Sequence, residues 1–407
     1  SFIILVAFNT ANAESIKWLH LFGEDSSQYP NMVRAVEEFE AKTGHTVVLQ
    51  YLENESFKAK LPTMLQSNDR PDIFYSWGGG VMYDQARAGF LRDVSSVVPD
   101  SYLDTVSAAA ADAFTFEGQR VGLPLQVSQV AWWYNKDLMS QAGIDVSQIK
   151  MWDDLLDAVK QIKAAGITPI CMGGKDKWPV HFVWTHLHIR NGGKGLFLES
   201  LNNGGWDRPE YIRSGEQMLE LVELEPFQKG WLAATWPDQA GFFGDGKCAM
   251  AFMGNWMYGA QASNSASGEG LADANMGMFN MPMTSGGMGD SGDTLGGING
   301  WLFSSTASDA AVELMMHYVS LDIQKEDASN GAYIPIVKGA DGSLTNPFLQ
   351  QVAKNISNSE YHQIFYDQFL GADIGRVVND VSTDLAAGII SAEEATQAVQ
   401  EAWEFNQ

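Results

Sequence analysis

Two rhythms of apolar residues alternate along the first quarter of the chain. Ile16 to Phe22 is a short apolar run that predicts a strand, followed by the polar turn Gly23-Glu24-Asp25. Met32, Val33, Val36 and Phe39 then recur at helical spacing. They predict a helix from Pro30 to Lys42, with Pro30 suited to its first turn and Gly44 ending it. Thr46 to Leu52 reads as a second strand. Phe57, Leu61, Met64 and Leu65 share one face of a helix from Phe57 to Ser67, in which Pro62 predicts a kink or a late start. Pro71 to Ser76 is a third strand, and Trp77-Gly78-Gly79-Gly80 is its exit loop. This β-α-β-α-β order implies parallel strands joined by right-handed crossovers.

The pattern then becomes less regular. Glu117-Gly118-Gln119 within Phe116 to Leu125 is hairpin-like, and Val130 to Tyr134 is a strand running into Asn135-Lys136-Asp137-Leu138. A helix over 153–165 and a strand over 167–172 follow. Trp178 to Arg190 is rich in aromatic residues and histidines and leads to Asn191-Gly192-Gly193. Farther on, Gly244-Asp245-Gly246 is turn chemistry, and Cys248 to Met253 is continuously apolar, as in a strand buried on both faces. Gly254-Asn255 ends that strand and sets Trp256 at its carboxyl end, where open α/β sheets bind ligands. Trp256 is therefore either a stacking platform or a plug for the core below. Asp273 to Ser291 is rich in methionine and glycine, and Leu295 to Ser304 reads as a strand carrying Asn299 and Trp301. Ser308 caps a helix over 309–320, and Ser391 with Glu394 forms a capping box opening a last helix through Trp403. No internal repeat is visible.

At 407 residues the chain exceeds one typical core, so two lobes are expected. The formal charge of −25 argues against nucleic acid or an anionic membrane as partner, because both need a basic footprint. Thirteen tryptophans exceed ordinary core needs, and aromatic faces are what sugar rings pack against. Phe2 to Phe8 followed by Ala11-Asn12-Ala13 has the form of a secretory signal without its basic start. Residues 1–13 are thus expected to be a signal remnant, and the mature protein to be exported. Cys171 and Cys248 both sit in apolar runs, and the sequence leaves open whether they pair or stay as buried thiols.

Gly246-Lys247-x-Ala249-Met250, followed by Gly254-x-Trp256, resembles the corresponding segment of the extracellular solute-binding proteins of ABC importers, in the maltose-type oligosaccharide-binding family. Leu123-Pro124 and Tyr134-Asn135-Lys136-Asp137-Leu138 resemble that family's first crossing between lobes, and Tyr333 to Val337 its third. The likeness in order and spacing extends from Pro71-Asp72 to Gly388. It implies a two-lobed periplasmic-binding-protein fold, each lobe a mostly parallel α/β sheet flanked by helices, closing by a hinge around ligand. The implied division is 14–125 with 293–335 for the N-terminal lobe and 126–292 with 336–407 for the C-terminal lobe. Crossings are expected near 121–128, 285–295 and 332–338. The implied function is saccharide capture for a membrane permease, by a monomer that is not an enzyme, at the periplasmic or outer face of the membrane.

A saccharide site needs aromatic faces and fixed polar groups. The strand-exit loops offer Glu24, Asp25, Trp77, Gln126, Ser128, Trp178, His181, Trp256, Asn299 and Trp301. Of these, the resemblance implies ligand contact for Asp25, Trp77, Ser128, Trp256 and Asn299. Trp132, Trp133 and Trp152 are expected in the core. Some relatives carry an aromatic residue where this chain has Gly375-Arg376, so Arg376 raises an acidic sugar as a candidate, against the alternative of a surface ion pair. His181, His186 and His188 lack tight tetrahedral spacing, and Asp341-Gly342-Ser343 lacks the other ligands of a calcium loop. No metal or cofactor is expected. The rival functions are a binder of a non-sugar solute such as a polyamine, drawn by Glu24, Asp25 and the tryptophans, and a carbohydrate-active enzyme, for which no nucleophile elbow or phosphate loop is present.

Overall fold

A computed structural model describes residues 13–407. The expected signal remnant lies, apart from its last residue, outside them. Strands β1 (Ser15–His20), β2 (Thr46–Tyr51) and β3 (Ile73–Ser76) pair in parallel in the order β2-β1-β3. The helices between them are Tyr29–Thr43, ended by Gly44, and Asn54–Gln66. The second begins earlier than its apolar face suggests, because the Glu53 carboxylate accepts hydrogen bonds from the backbone N–H groups of Glu55 and Ser56 and caps it. Pro62 lies inside this helix rather than delaying its start.

A small hairpin of β4 (Thr115–Phe116) and β5 (Gln119–Arg120) precedes β6 (Gly122–Asn135), the longest strand. The first half of β6 lies antiparallel to β9 (Thr294–Phe303), from Gly122 opposite Leu302 to Gln129 opposite Gly296. Its second half is flanked by β7 (Met250–Gly254) and β8 (Met276–Phe279). The far side of β9 pairs with β3 through residues 300–303 and with β11 (His362–Ile364) through residues 294–296. The short β10 (Ile334–Pro335) lies against Gln126 and Val127 of β6. β9 thus spans from β11 at its start to β3 at its end.

Buried side chains gather into two large cores. One contains Trp18, Phe74, Leu123, Leu125, Trp301 and Tyr318. The other contains Trp132, Trp133, Trp152, Trp184, Met250 and Phe365. The stretch 167–172 does not form the expected strand. Ile170 forms only isolated bridges, to Phe227 and Met250, and Pro169, with no N–H to donate, cannot extend the ladder. Cys171 and Cys248 form a disulfide with Cα atoms 5.6 Å apart, joining this stretch to the entry of β7. Helix Trp178–Asn203, broken at Gly193, runs through the same core, and its Arg190 is completely buried. The Arg190 guanidinium donates to the carbonyls of Met281, Asp290, Ser291 and Asp293, fixing the loop that feeds β9.

The lobes also touch beside the crossings. A Cβ on Gly79, whose φ is +67°, would lie 2.8 Å from the Cα of Phe369, and one on Gly80 would lie 2.3 Å from the backbone nitrogen of Gly371. Glycine is required there because backbone packs directly on backbone. Asp84 accepts a hydrogen bond from the Ala372 N–H at 3.2 Å, at the start of helix Ala372–Ala386.

Two stability predictions follow from this packing. The disulfide closes a segment of 77 residues. Replacing both cysteines by alanine should lower the unfolding free energy by about 2–5 kcal/mol, read from urea denaturation. An unchanged midpoint would mean that the crosslink carries no stability. The second concerns His188, whose ring is enclosed by Trp184, Tyr211 and Tyr366. Burial pushes it down from 6.5 to about 3. The folded protein holds this histidine neutral while the unfolded chain protonates it below 6.5, so its contribution is present above 6.5 and lost as pH falls toward 3. Between pH 7 and pH 5 that loss is about 2 kcal/mol. A His188→Phe variant should lose correspondingly less stability over that interval than the natural protein. An identical loss in both would reject the assignment.

Candidate functional site

The three parallel strands β1, β2 and β3 all end at one cavity of about 350 Å³ between the two cores. Phe22 and Asp25 follow β1, Glu53 and Asn54 follow β2, and Trp77 follows β3. Gln126 and Asn299 come from the crossing strands, where they stand opposite each other in register. From the other lobe come Trp178 and Phe182, one helical turn apart, with Trp236, Trp256, Phe365 and Asp367. Strand ends supply these groups because the backbone that aims them is fixed by the ladder, while the loop leaves the side chain free to face solvent.

Trp256 sits at the start of helix Met257–Ser263, directly after β7, and is half-buried. Its ring lies on Gly254, where a Cβ would come within 2.1 Å of an indole carbon. Gly254 therefore acts by giving the ring room rather than by a turn conformation. Phe182 and Phe365 pack on its flanks at 6.3 and 6.0 Å between centroids. Trp178 stands 6.4 Å away and is itself 5.7 Å from Trp236, so three indoles form a continuous wall. Facing them, Trp77 packs edge-on to Tyr75 at 5.3 Å. The Tyr75 hydroxyl accepts a hydrogen bond from the Gln126 amide at 2.8 Å, and burial pushes its ionisation well up. The phenol therefore stays neutral.

The lips of the cavity meet at Trp178. Its Nε1–H donates to the Glu55 carboxylate at 3.0 Å, linking the two lobes. The Lys58 ammonium lies 3.5 Å from Glu55 and over the rings of Trp77 and Trp178, at 5.2 and 5.4 Å from their centroids. Such contacts with indole faces contribute about 0.5–2 kcal/mol each.

Six of the residues expected from sequence line the cavity: Asp25, Trp77, Gln126, Trp178, Trp256 and Asn299. The other five lie elsewhere. Glu24 is exposed on the turn beside Asp25 and outside the lining. The Ser128 hydroxyl is taken by the neighbouring strand, accepting from the Gly297 N–H at 3.0 Å. Trp301 is fully buried against Trp18, Tyr75 and Phe22, one layer below the cavity floor. His181 is also fully buried, behind the lining, with Nε2 3.7 Å from Asp367 Oδ1. Arg376 is exposed and pairs with Asp380 at 3.5 Å on the outer face of its helix, since the face toward the site is taken by Gly375 packed against the Asp367 backbone. The acidic-sugar candidate loses its basis with it.

Sequence reasoning missed Glu53, Lys58, Tyr75, Trp236, Phe365 and Asp367. Glu53 was findable, since it follows a predicted strand as Asp25 and Trp77 do. Trp236 carried a signal in the capping box of Thr235 and Asp238. Asp367 gave none, because it arrives through β11, a three-residue strand without a periodic pattern.

Two α/β units sharing crossing strands, with an aromatic and polar cavity between them, define a two-lobed binding protein. The chain belongs to the bacterial extracellular solute-binding protein family, whose model matches residues 23–326. It is 25% identical over 206 residues to an uncharacterised ABC transporter extracellular-binding protein of Pyrococcus horikoshii, covering 50% of this chain and 46% of that one. The match thus spans about half the length of that relative. It is 20% identical over 275 residues to the multiple sugar-binding protein of Streptococcus mutans, covering 62% of each chain. Among solved structures, a chitin oligosaccharide binding protein superposes with a TM-score of 0.86 at 24% identity, over 97% of this chain and 98% of that one.

The placement of Trp256 leads to a test with two readouts. Trp256→Ala should weaken capture of a cleft ligand at least about tenfold, roughly 1.4 kcal/mol. The ring is only half-buried, so unfolding free energy should fall by less than the 3–5 kcal/mol typical of a core tryptophan. A large stability loss with unchanged affinity would make Trp256 a core residue.

Proposed function

We propose that this protein captures a mono- or short oligosaccharide between its lobes and delivers it to the membrane permease of an ABC importer. The observation that carries the reading is the indole wall of Trp178, Trp236 and Trp256 facing Trp77, with Asn54, Gln126, Asn264 and Asn299 lining the same cavity. A sugar offers flat C–H faces to indoles and a rim of hydroxyls to amides and carboxylates. The space of about 350 Å³ suits a ligand of one or a few rings. The sugar-binding relative and the chitin oligosaccharide binding protein support the saccharide class. Membership of an extracellular binding family supports export and partnership with a permease. Among the described residues no helix is long and apolar enough to cross a membrane.

The reading assigns no catalytic step. The lining acids serve as hydrogen-bond acceptors, and the protein works as a monomer without nucleic acid. The lobes are taken as 14–125 with 293–335 and 126–292 with 336–407, turning on β6 and β9. The interlobe hydrogen bond from Trp178 to Glu55 supports a closed geometry that ligand stabilises, the free protein being the more open form.

A thermal-shift panel of mono- and oligosaccharides is the direct test. At a ligand concentration 100 times Kd, linkage adds about 2.7 kcal/mol of stability, so even modest affinity is visible. At least one saccharide should raise the melting temperature without being cleaved on prolonged incubation. No shift with any of them would reject the class, and released products would make the protein an enzyme. Small-angle scattering should show the smaller radius of gyration with saturating ligand. Equal radii would reject lobe closure while leaving binding intact.

A further inference from the structure

Resting on the cleft reading above, we infer that the ligand presents a protonated amine to Asp367, and that this carboxylate sets the specificity of the site. Asp367 is 9% exposed, lines the cavity, and follows β11 on the short helix Tyr366–Phe369. A carboxylate this enclosed normally has a cationic partner. Its neighbours here are neutral. Oδ2 accepts from the Asn379 amide at 3.2 Å, and Oδ1 faces His181 Nε2 at 3.7 Å. Burial holds the His181 imidazole below its usual range, against the pull of Asp367, so it supplies no charge.

The surrounding cations are engaged elsewhere. Lys177 and Arg376 both pair with Asp380. Lys58, the cation lining the cavity, is held by Glu55 and by the faces of Trp77 and Trp178. Among the described residues, no lysine or arginine forms an ion pair with Asp25, Glu53 or Asp367, all of which line the space. Tyr51, which also lines the space, is pushed up by burial first and then by the charges of Glu53 and Asp25.

A second enclosed acceptor sits at the floor of the cavity. Asn299 is 3% exposed and lines the cavity, yet its Oδ1 accepts no hydrogen bond. It lies close to the chain leading to Asp367, because a Cβ on Gly297 would be 2.5 Å from Asn299 Oδ1 and 2.9 Å from the Phe365 ring. A neutral sugar hydroxyl would satisfy one acceptor and leave the carboxylate charge unbalanced. An ammonium group brings up to three N–H donors together with the missing charge, and indole and phenyl faces stabilise it further. An amino sugar and a polyamine share this chemistry.

Isothermal titration of the full chain, below the pKa of the amine, distinguishes the sources. The probes are amino disaccharides in the gluco and galacto series, their N-acetylated forms, the corresponding neutral disaccharides, and spermidine. An amino disaccharide should bind at least about tenfold tighter than its neutral and N-acetylated counterparts, since hydrogen bonds to charged groups exceed neutral ones by about that factor. Asp367→Asn should abolish this preference, lowering amino-disaccharide affinity about tenfold more than neutral-disaccharide affinity. Equal or tighter binding of the neutral or N-acetylated form would overturn the inference and leave the saccharide reading standing. Spermidine binding without any sugar binding would support the ammonium site and reject the saccharide. No binding in any arm rejects both. If Asp367→Asn does not fold, the ratio of amino to neutral affinity in the natural protein decides alone.

Discussion

The antiparallel pairing of β6 with β9 is the constraint on which the molecule depends. From Gly122 opposite Leu302 to Gln129 opposite Gly296, this ribbon continues the sheet that holds β3, and β6 then runs on alone between β7 and β8. Leu123 and Trp301 belong to one core, and Val130 and Leu295 to the other. A one-residue slip would turn every side chain on the ribbon over, exchanging buried and cavity-facing positions at once. The register therefore fixes the two cores and also sets Gln126 and Asn299 side by side at the floor of the cavity.

Polar groups support that ribbon where apolar packing alone could not. The buried Arg190 guanidinium gathers four carbonyls of the irregular segment before β9, so backbone that forms no ladder still has partners. Burial lowers its ionisation to about 10, which leaves it charged at neutral pH. On the opposite side, the Gln324 amide donates to the Leu125 carbonyl, while its oxygen accepts from the N–H groups of Ile336 and Val337. That one side chain ties the β10 region to β6. Both devices use long side chains to satisfy the backbone of crossing segments.

The cavity combines rigid aromatic walls with an excess of acceptors. Tryptophan presents a large contact face with few rotatable bonds, so little conformational entropy is lost when a ligand settles on it. The rings support one another: Trp256 rests on Gly254 between Phe182 and Phe365, and Trp178 bridges to Trp236. The same helix that carries Trp178 and Phe182 toward the cavity carries His181 and His188 into the core, where burial keeps them neutral. One element thus meets two environments through its periodicity alone.

Local pattern determined much of this protein. The β-α-β-α-β opening, the capping box at Ser391 and Glu394, and Trp256 at the end of a buried strand all follow from residue spacing and turn chemistry, which act within a few residues. Tertiary structure decided what spacing cannot reach. Asn299 and Trp301 lie two residues apart on one strand, and only the Tyr75 ring and Phe22 packed over Trp301 take it out of the cavity. Ser128 was spent on Gly297, 169 residues away, and Cys171 found Cys248 across 77. Asp367 entered the site from a segment with no pattern of its own. A side chain's partners across such separations are set by how the lobes pack, and no local rule of the chain encodes them.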